Sequence, residues 1–279
     1  MRIIFGCLLF LLCVGSTKAQ FLDDYLDDEH MFNAHTKQVN QFFRRFNGEE
    51  DTYGKKLLPN DTLYRNNYYR KNFLNHLFDE RSYMMEDVDK FQFIDELTNL
   101  EDPIYLDFHS GEWVSEVNAR FIYKDQEIDV SIYLIIQEEE VGSKWVISKI
   151  FFEPYTKFFR EYDRDSIQDD PKNFLHPLSH ELDFMNLIDV FQKDVLIERF
   201  AEKTFYPDHL SLFIYEFRKG LIKFKTIEKV KFHFFQIDGW YFELSRFNRK
   251  SLNSGWLISN LFKTTEEDQK VLKSLIYQK

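Results

Sequence analysis

Cysteine is nearly absent. The 279-residue chain has two, Cys7 and Cys13, and both fall in an N-terminal segment expected to be removed. A mature chain without thiols excludes disulfides, cysteine nucleophiles and cysteine-ligated zinc. Glycine is scarce as well: of nine, Gly6 and Gly15 lie in the same N-terminal segment. The remaining seven are not spaced for a G-x-G-x-x-G turn, a Walker loop or a G-x-S-x-G elbow, so backbone phosphate cradles and nucleophile elbows of those kinds are excluded. Positive charge is in deficit. The formal charge of −11 becomes −13 once a leader carrying Arg2 and Lys18 but no acid is removed. Nucleic acid and anionic lipid reward clustered Lys and Arg, so neither is an expected partner.

The only long apolar run is Ile3 to Val14, short of the ~20 residues that cross a bilayer. Met1-Arg2 precedes it, and Thr17-Lys18-Ala19 follows with small residues before Gln20. This tripartite pattern predicts a secretory signal peptide over 1–19, with the mature protein beginning at Gln20, exported and soluble in the periplasm or outside the cell. A lipoprotein anchor fits less well, because Cys13 follows Leu11-Leu12 rather than a small residue.

Aromatic residues are abundant instead, with 31 Phe and 15 Tyr. They imply either a core of large packed rings or an aromatic-lined pocket. Phe32, Val39, Phe42, Phe43 and Phe46 recur at helical spacing, with Gly48 as a stop. Helices are likewise predicted on Tyr69, Phe73, Leu74, Leu77 and Phe78, and on Val88, Phe91, Ile94 and Leu97. Strands are expected at Ile104–Phe108, Trp113–Tyr123, Ile128–Gln137 and Lys144–Phe152. An acidic, aperiodic stretch then reads as a linker over 154–176. Beyond it come a helix carrying Leu182, Met185, Ile188 and Phe191, and more helix through Leu196–Ala201. Asp208 follows as an N-cap, then strands at Lys229–Gln236 and Trp240–Phe247 around Asp238-Gly239, and a last strand at Trp256–Phe262. Thr264-x-x-Glu267 marks a C-terminal helix.

One motif occurs twice. Ser143-Lys-Trp-Val-Ile-Ser-Lys-Ile-Phe151 is echoed by Ser254-Gly-Trp-Leu-Ile-Ser-Asn-Leu-Phe262, a shift of 111 residues. Each copy closes a stretch of helices followed by strands, an α+β pattern. The expected architecture is therefore two tandem α+β units, over 20–153 and 177–279, each with N-terminal helices on a curved antiparallel sheet. Trp145–Phe152 and Trp256–Lys263 resemble the final strand of the nuclear transport factor 2-like superfamily. That resemblance implies cone-shaped (cystatin-like) domains whose helices pack in the concavity of a bent sheet, and an internal pseudo-dimer of the two halves. Enzymes of that superfamily place an acid or His base beside a Tyr or Asp donor inside the cone, but no acid here is singled out by a motif, so no catalytic residue is assigned.

The remaining candidates are sparse. His176 and His180 are four apart, but Pro177 directly after His176 points to a helix start rather than a metal pair, and H-E-x-x-H is not completed. Asp163, Asp165, Asp169 and Asp170 lack the glycine and terminal glutamate of a calcium loop. His109, Glu112 and Trp113 lie at a predicted turn and could sit at a pocket mouth, with an ordinary exposed turn the alternative. No metal or cofactor is expected. Asn60-Asp-Thr62 fits an N-glycosylation acceptor, and Thr62 and Ser166 sit in Asp-Ser/Thr-aliphatic triplets. Three functions stay open: a non-catalytic binding or assembly protein of the bacterial envelope, a small-ligand binder using an aromatic-lined cone, and an isomerase, lyase or hydrolase with an unidentified acid–base pair.

Overall fold

The computed structural model describes residues 39–51, 54–83, 85–160, 208–249 and 253–277. The fold is α+β. Its helices are α1 over 39–46, α2 Asn67–Asn75, α3 Asp87–Leu97, α4 Glu153–Arg160, α5 His209–Arg218 and α6 Glu266–Tyr277. Its strands are β1 Trp113–Tyr123, β2 Gln126–Glu139, β3 Gly142–Phe152, β4 Ile222–Phe234, β5 Trp240–Phe247 and β6 Gly255–Lys263. They form one six-stranded antiparallel sheet in the order β3-β2-β1-β4-β5-β6. In that order β1-β2-β3 and β4-β5-β6 each run outward from the central β1/β4 pair. By spatial clustering the chain divides into two compact units, Met1–Trp113 with His233–Glu266, and Val114–Phe232 with Glu267–Lys279.

In the first unit, α1 buries Val39, Phe42, Phe43 and Phe46, spaced i, i+3, i+4 and i+7. Its end is fixed by Gly48 at φ 70°. The Gly48 amide donates to Arg45 O and the Glu49 amide to Arg44 O, a Schellman closure that a residue with a Cβ resists. The ring of Phe46 stacks on Phe242, and Phe242 stacks on Phe234 at 4.7 Å. Phe93 of α3 meets Trp240 and Phe242 edge-on. On α3 the buried face is Phe93, Ile94 and Leu97, whereas Val88 and Phe91 of the expected stripe are exposed. The outer edge of β6 is covered by Leu77–Asp79: Ile258 N donates to Leu77 O and Asp79 N to Ile258 O. Arg249 then pairs with Asp79 at 2.7 Å and donates to Asn253, which caps the carbonyls of His76 and Phe78.

In the second unit, β1 and β2 turn through Lys124 and Asp125, both at positive φ (49° and 62°). That is the conformation of a tight hairpin turn matched to strand twist. Val117, Ala119, Phe121, Val130, Ile150 and Phe152 pack with Tyr155 of α4 and Phe213 of α5. The alternation predicted for β2 is realised: Val130 is buried, and Ile128, Ile132 and Leu134 pack against the same cluster. Helix α5 starts on Asp208, whose carboxylate accepts from Leu210 N, and closes at Gly220, where Leu221 N reaches Glu216 O.

The repeated motif has the same geometry in both copies. In β3 the register steps from Tyr133↔Lys149 to Leu134↔Ile147, leaving Ser148 as the extra residue of a β-bulge. In β6 it steps from Glu243↔Asn260 to Leu244↔Ile258, leaving Ser259 in the corresponding place. Each serine donates across the pair, Ser148 Oγ to Tyr133 O at 3.1 Å and Ser259 Oγ to Glu243 O at 3.3 Å. The bulge explains the spacing of Trp-x-Ile-Ser-x-Ile/Leu. Residues two apart share a face, and the extra serine lets the next apolar residue, three further on, return to it. Trp256, Ile258 and Leu261 are accordingly all buried; of their β3 counterparts only Ile150 is, with Trp145 half-buried and Ile147 45% exposed.

The structure departs from the expected strand at Ile104–Phe108, which has no ladder. Its backbone is satisfied by side chains instead. Asn47 Nδ2 donates to Leu106 O while Asn47 Oδ1 accepts from Leu106 N. Gln236 does the same for Asp107. Side-chain amides thus take the role of a neighbouring strand. The C-terminal helix begins at Glu266, one residue later than the predicted capping box places it. Of the expected linker, 154–160 belongs to α4, and 161–176 lies outside the described residues, as does the helix predicted on Leu182–Phe191.

Candidate functional site

The side chains with unspent chemistry concentrate in the first unit, where α1 ends. A concavity of about 470 Å³ opens there between the last turn of α1, the turn before α2 and the segment 105–108. Phe43, Leu106, Phe108 and Tyr105 supply its apolar surface, and Asn40, Arg44, Arg65, Glu49 and Asp107 its polar groups. Arg44 is aimed by a buried acid. The Glu50 side chain is wholly buried and accepts from Arg44 Nε (3.1 Å), Arg45 Nε (2.9 Å) and Gln41 Nε2 (2.8 Å). Only Nε of Arg44 is used, so among the described residues its two Nη groups keep their donors.

Arg65 lies on the opposite lip with φ 52°, a left-handed conformation that L side chains rarely adopt. Its amide donates to Gly48 O at 2.8 Å, and Nε and Nη2 both reach Glu49 Oε1. The guanidinium lies 4.4 Å from the Tyr105 ring centroid. Partial burial works against its charge, but the Glu49 carboxylate more than offsets this and holds Arg65 above its ordinary pKa.

Behind Tyr105 sits Arg70, fully buried and with no carboxylate partner among the described residues. Its Nε donates to Phe46 O, its Nη1 to Leu97 O and its Nη2 to Ile104 O. Phe46 ends α1 and Leu97 ends α3, so one guanidinium caps two helix C-termini, where the backbone dipoles favour a cation. Burial pulls its pKa down to about 10, which leaves it charged at neutral pH.

A second constellation occupies the opposite face of the sheet in this unit. Phe234 and Phe242 point toward α1, so their neighbours His233, Tyr241 and Glu243 point away. Tyr241 Oη donates to Glu243 Oε1 at 2.9 Å and lies 2.7 Å from His233 Nδ1; Glu243 Oε2 accepts from Asn260 Nδ2 at 2.9 Å. With the tyrosine proton committed to Glu243, His233 Nδ1 is the donor of the pair. This chain can hold and relay a proton, but it lines neither of the two concavities described.

The second concavity, about 340 Å³, belongs to the second unit and is bordered by Tyr123, Lys124, Glu216, Leu221 and Lys223. Tyr155 Oη donates to Glu216 Oε2 at 2.6 Å; burial, then this carboxylate, raises the tyrosine pKa far above its ordinary value. Beside it the α5 surface carries exposed Ile214, Tyr215 and Phe217.

Of the sequence candidates, His109 stands on an exposed turn with its amide bonded to Asp107 Oδ1. Trp113 is buried and donates through Nε1 to Phe108 O, and Glu112 offers its carbonyl to Phe235 N. They do not converge on a pocket, although their neighbours Asp107 and Phe108 line one. Asn60 and Thr62 are exposed on a turn. His176, His180, Asp163, Asp165, Ser166, Asp169 and Asp170 lie outside the described residues. Among the described residues no three His, Asp or Glu side chains cluster as a metal site would require, and no helix is long and apolar enough to cross a membrane.

Sequence reasoning missed Arg44, Arg65 and Arg70, and also His233, Tyr241 and Glu243. The latter trio had a signal: a hairpin pivoting on Asp238-Gly239 brings His233 across from the Tyr241-x-Glu243 pair. Comparison of the chain with protein-family models, with curated proteins and with solved structures finds no match.

Proposed function

We propose that the chain is an exported binding or assembly protein of the bacterial envelope, acting through surface contact with another protein. The observation that carries this reading is a line of rings in the second unit that leads from core to solvent. Phe217 stacks on Phe213, Phe213 meets Phe121 at 5.3 Å, and Phe121 meets Phe224 at 5.5 Å. Phe213 and Phe121 are buried, yet Phe217 and Phe224 are 47% and 46% exposed, with Ile214 and Leu221 exposed nearby. Apolar surface of this kind is retained where a partner covers it. The reading includes an internal duplication of a nuclear transport factor 2-like unit, supported by the matched bulges at Ser148 and Ser259.

The test is site-specific photocrosslinking from position 224 in cells that export the protein. A single discrete adduct, lost in Phe217→Ser, is expected. Labelling spread over many products, or unchanged by that substitution, defeats the reading. A second reading, an enzyme using an acid–base pair, has one observation in its favour, the His233–Tyr241–Glu243 chain. Reproducible turnover abolished by Glu243→Gln in a folded protein would select it.

A further inference from the structure

We propose that the concavity between α1 and the 105–108 segment is a binding site for an acidic sugar, a hydroxylated ring that bears a carboxylate. This goes beyond partner binding and uses the other unit. Three observations converge on it. First, the site brings two guanidiniums to one opening, and each has donors to spare. Arg44 spends Nε on Glu50 and Arg65 spends Nε and Nη2 on Glu49, which, among the described residues, leaves both Nη groups of Arg44 and Nη1 of Arg65. A planar carboxylate is the acceptor that forked guanidinium donors fit best.

Second, the positioning is costly and specific. Arg44 is held by a carboxylate with no solvent exposure. Arg65 keeps a left-handed backbone that glycine or asparagine would adopt with less strain. Such conformations concentrate where a side chain must be aimed. Third, the rest of the lining suits a sugar body. Half-buried Phe108 provides apolar surface for the ring, and Asp107 and Glu49 provide acceptors for hydroxyls. The volume of about 470 Å³ falls within the range of small-molecule sites.

The experiment is calorimetric titration of the exported chain with galacturonate, with galactose, which lacks the carboxylate, and with acetate, which lacks the ring. Galacturonate should bind, and each of the other two should bind at least about tenfold more weakly, the factor expected for losing one charge-assisted bond or the ring contact. Arg65→Asn should weaken galacturonate by about tenfold or more with the thermal midpoint unchanged or raised, because asparagine accepts the left-handed backbone. Arg44→Gln gives the second arm and should weaken it similarly. No galacturonate binding, equal binding of galactose or acetate, or binding that survives Arg65→Asn in a folded protein would overturn the assignment.

Discussion

Arg70 shows how one side chain can stand in for several caps. Its guanidinium satisfies the carbonyls of Phe46 at the end of α1 and of Ile104, and adds a second donor to Leu97 O at the end of α3, which also accepts from Ile104 N. Arg70→Met keeps the apolar stem but removes the guanidinium donors of Phe46 O and Ile104 O, while Leu97 O keeps the Ile104 amide, so a loss of about 2 kcal/mol or more is expected in urea melts. Arg70→Lys should not restore it, because an ammonium cannot present donors in three fixed directions. Nothing in the sequence marked Arg70: it sits on a helix where Tyr69, Phe73 and Leu74 set the expected apolar face, and its partners are backbone atoms distant in the chain. The pocket arginines were hidden for the same reason, since what aims them is a buried Glu50 and a backbone turn. Tyrosines give a pH signature. Burial raises Tyr133 from 10.0 to about 12. Its folded form therefore holds the proton longer than the unfolded chain does, and stability present below pH 10 is lost as pH rises toward 12. Urea midpoints measured from pH 8 to 11 should fall at the alkaline end, and the fall should be shallower in Tyr133→Phe.

At the scale of elements, local pattern carried furthest where strands alternate. Trp113–Tyr123 and Trp240–Phe247 were legible to the residue, because aromatic and β-branched runs are bounded by turn chemistry at Gly111, Lys124-Asp125 and Asp238-Gly239. Segment 104–108 was misread as a strand because its composition is strand-like and its real partners, Asn47 and Gln236, are distant side chains. The Trp-x-Ile-Ser motif was visible as a repeat, but its meaning as a bulge needed the register. That meaning is testable. Ser259→Ala removes a bond to Glu243 O and should cost about 1 kcal/mol. Deleting Ser259 instead leaves Ile258 and Leu261 two apart, so a regular strand still buries both and the cost should be of the same order. A thermal melt in which the deletion costs several-fold more than Ser259→Ala would show that the bulge does more than return Leu261 to that face.

For the whole molecule, composition spoke to chemistry more than to shape. The confinement of both cysteines to positions 7 and 13 and the absence of glycine-rich motifs narrow the function classes, while the α+β class follows from the order of elements. Export is the expectation with the most direct check. When the chain is expressed with its leader in a bacterial host, N-terminal sequencing of the exported product should begin at or near Gln20. Retained Met1 would remove the envelope from the proposed function and leave the sugar site standing as a separate question.

The double cap made by Arg70 also has a kinetic meaning. Segments that share one ionic plug cannot fray independently, since releasing either helix end strands the cation away from water and from its other acceptors. The last turns of α1 and α3, far apart in the chain, should therefore open as one cooperative block. In native-state hydrogen exchange, the amides of Asn47 and Thr98, bonded to Phe43 O and Ile94 O, should share one opening free energy in dilute denaturant. Arg70→Met should uncouple them into two.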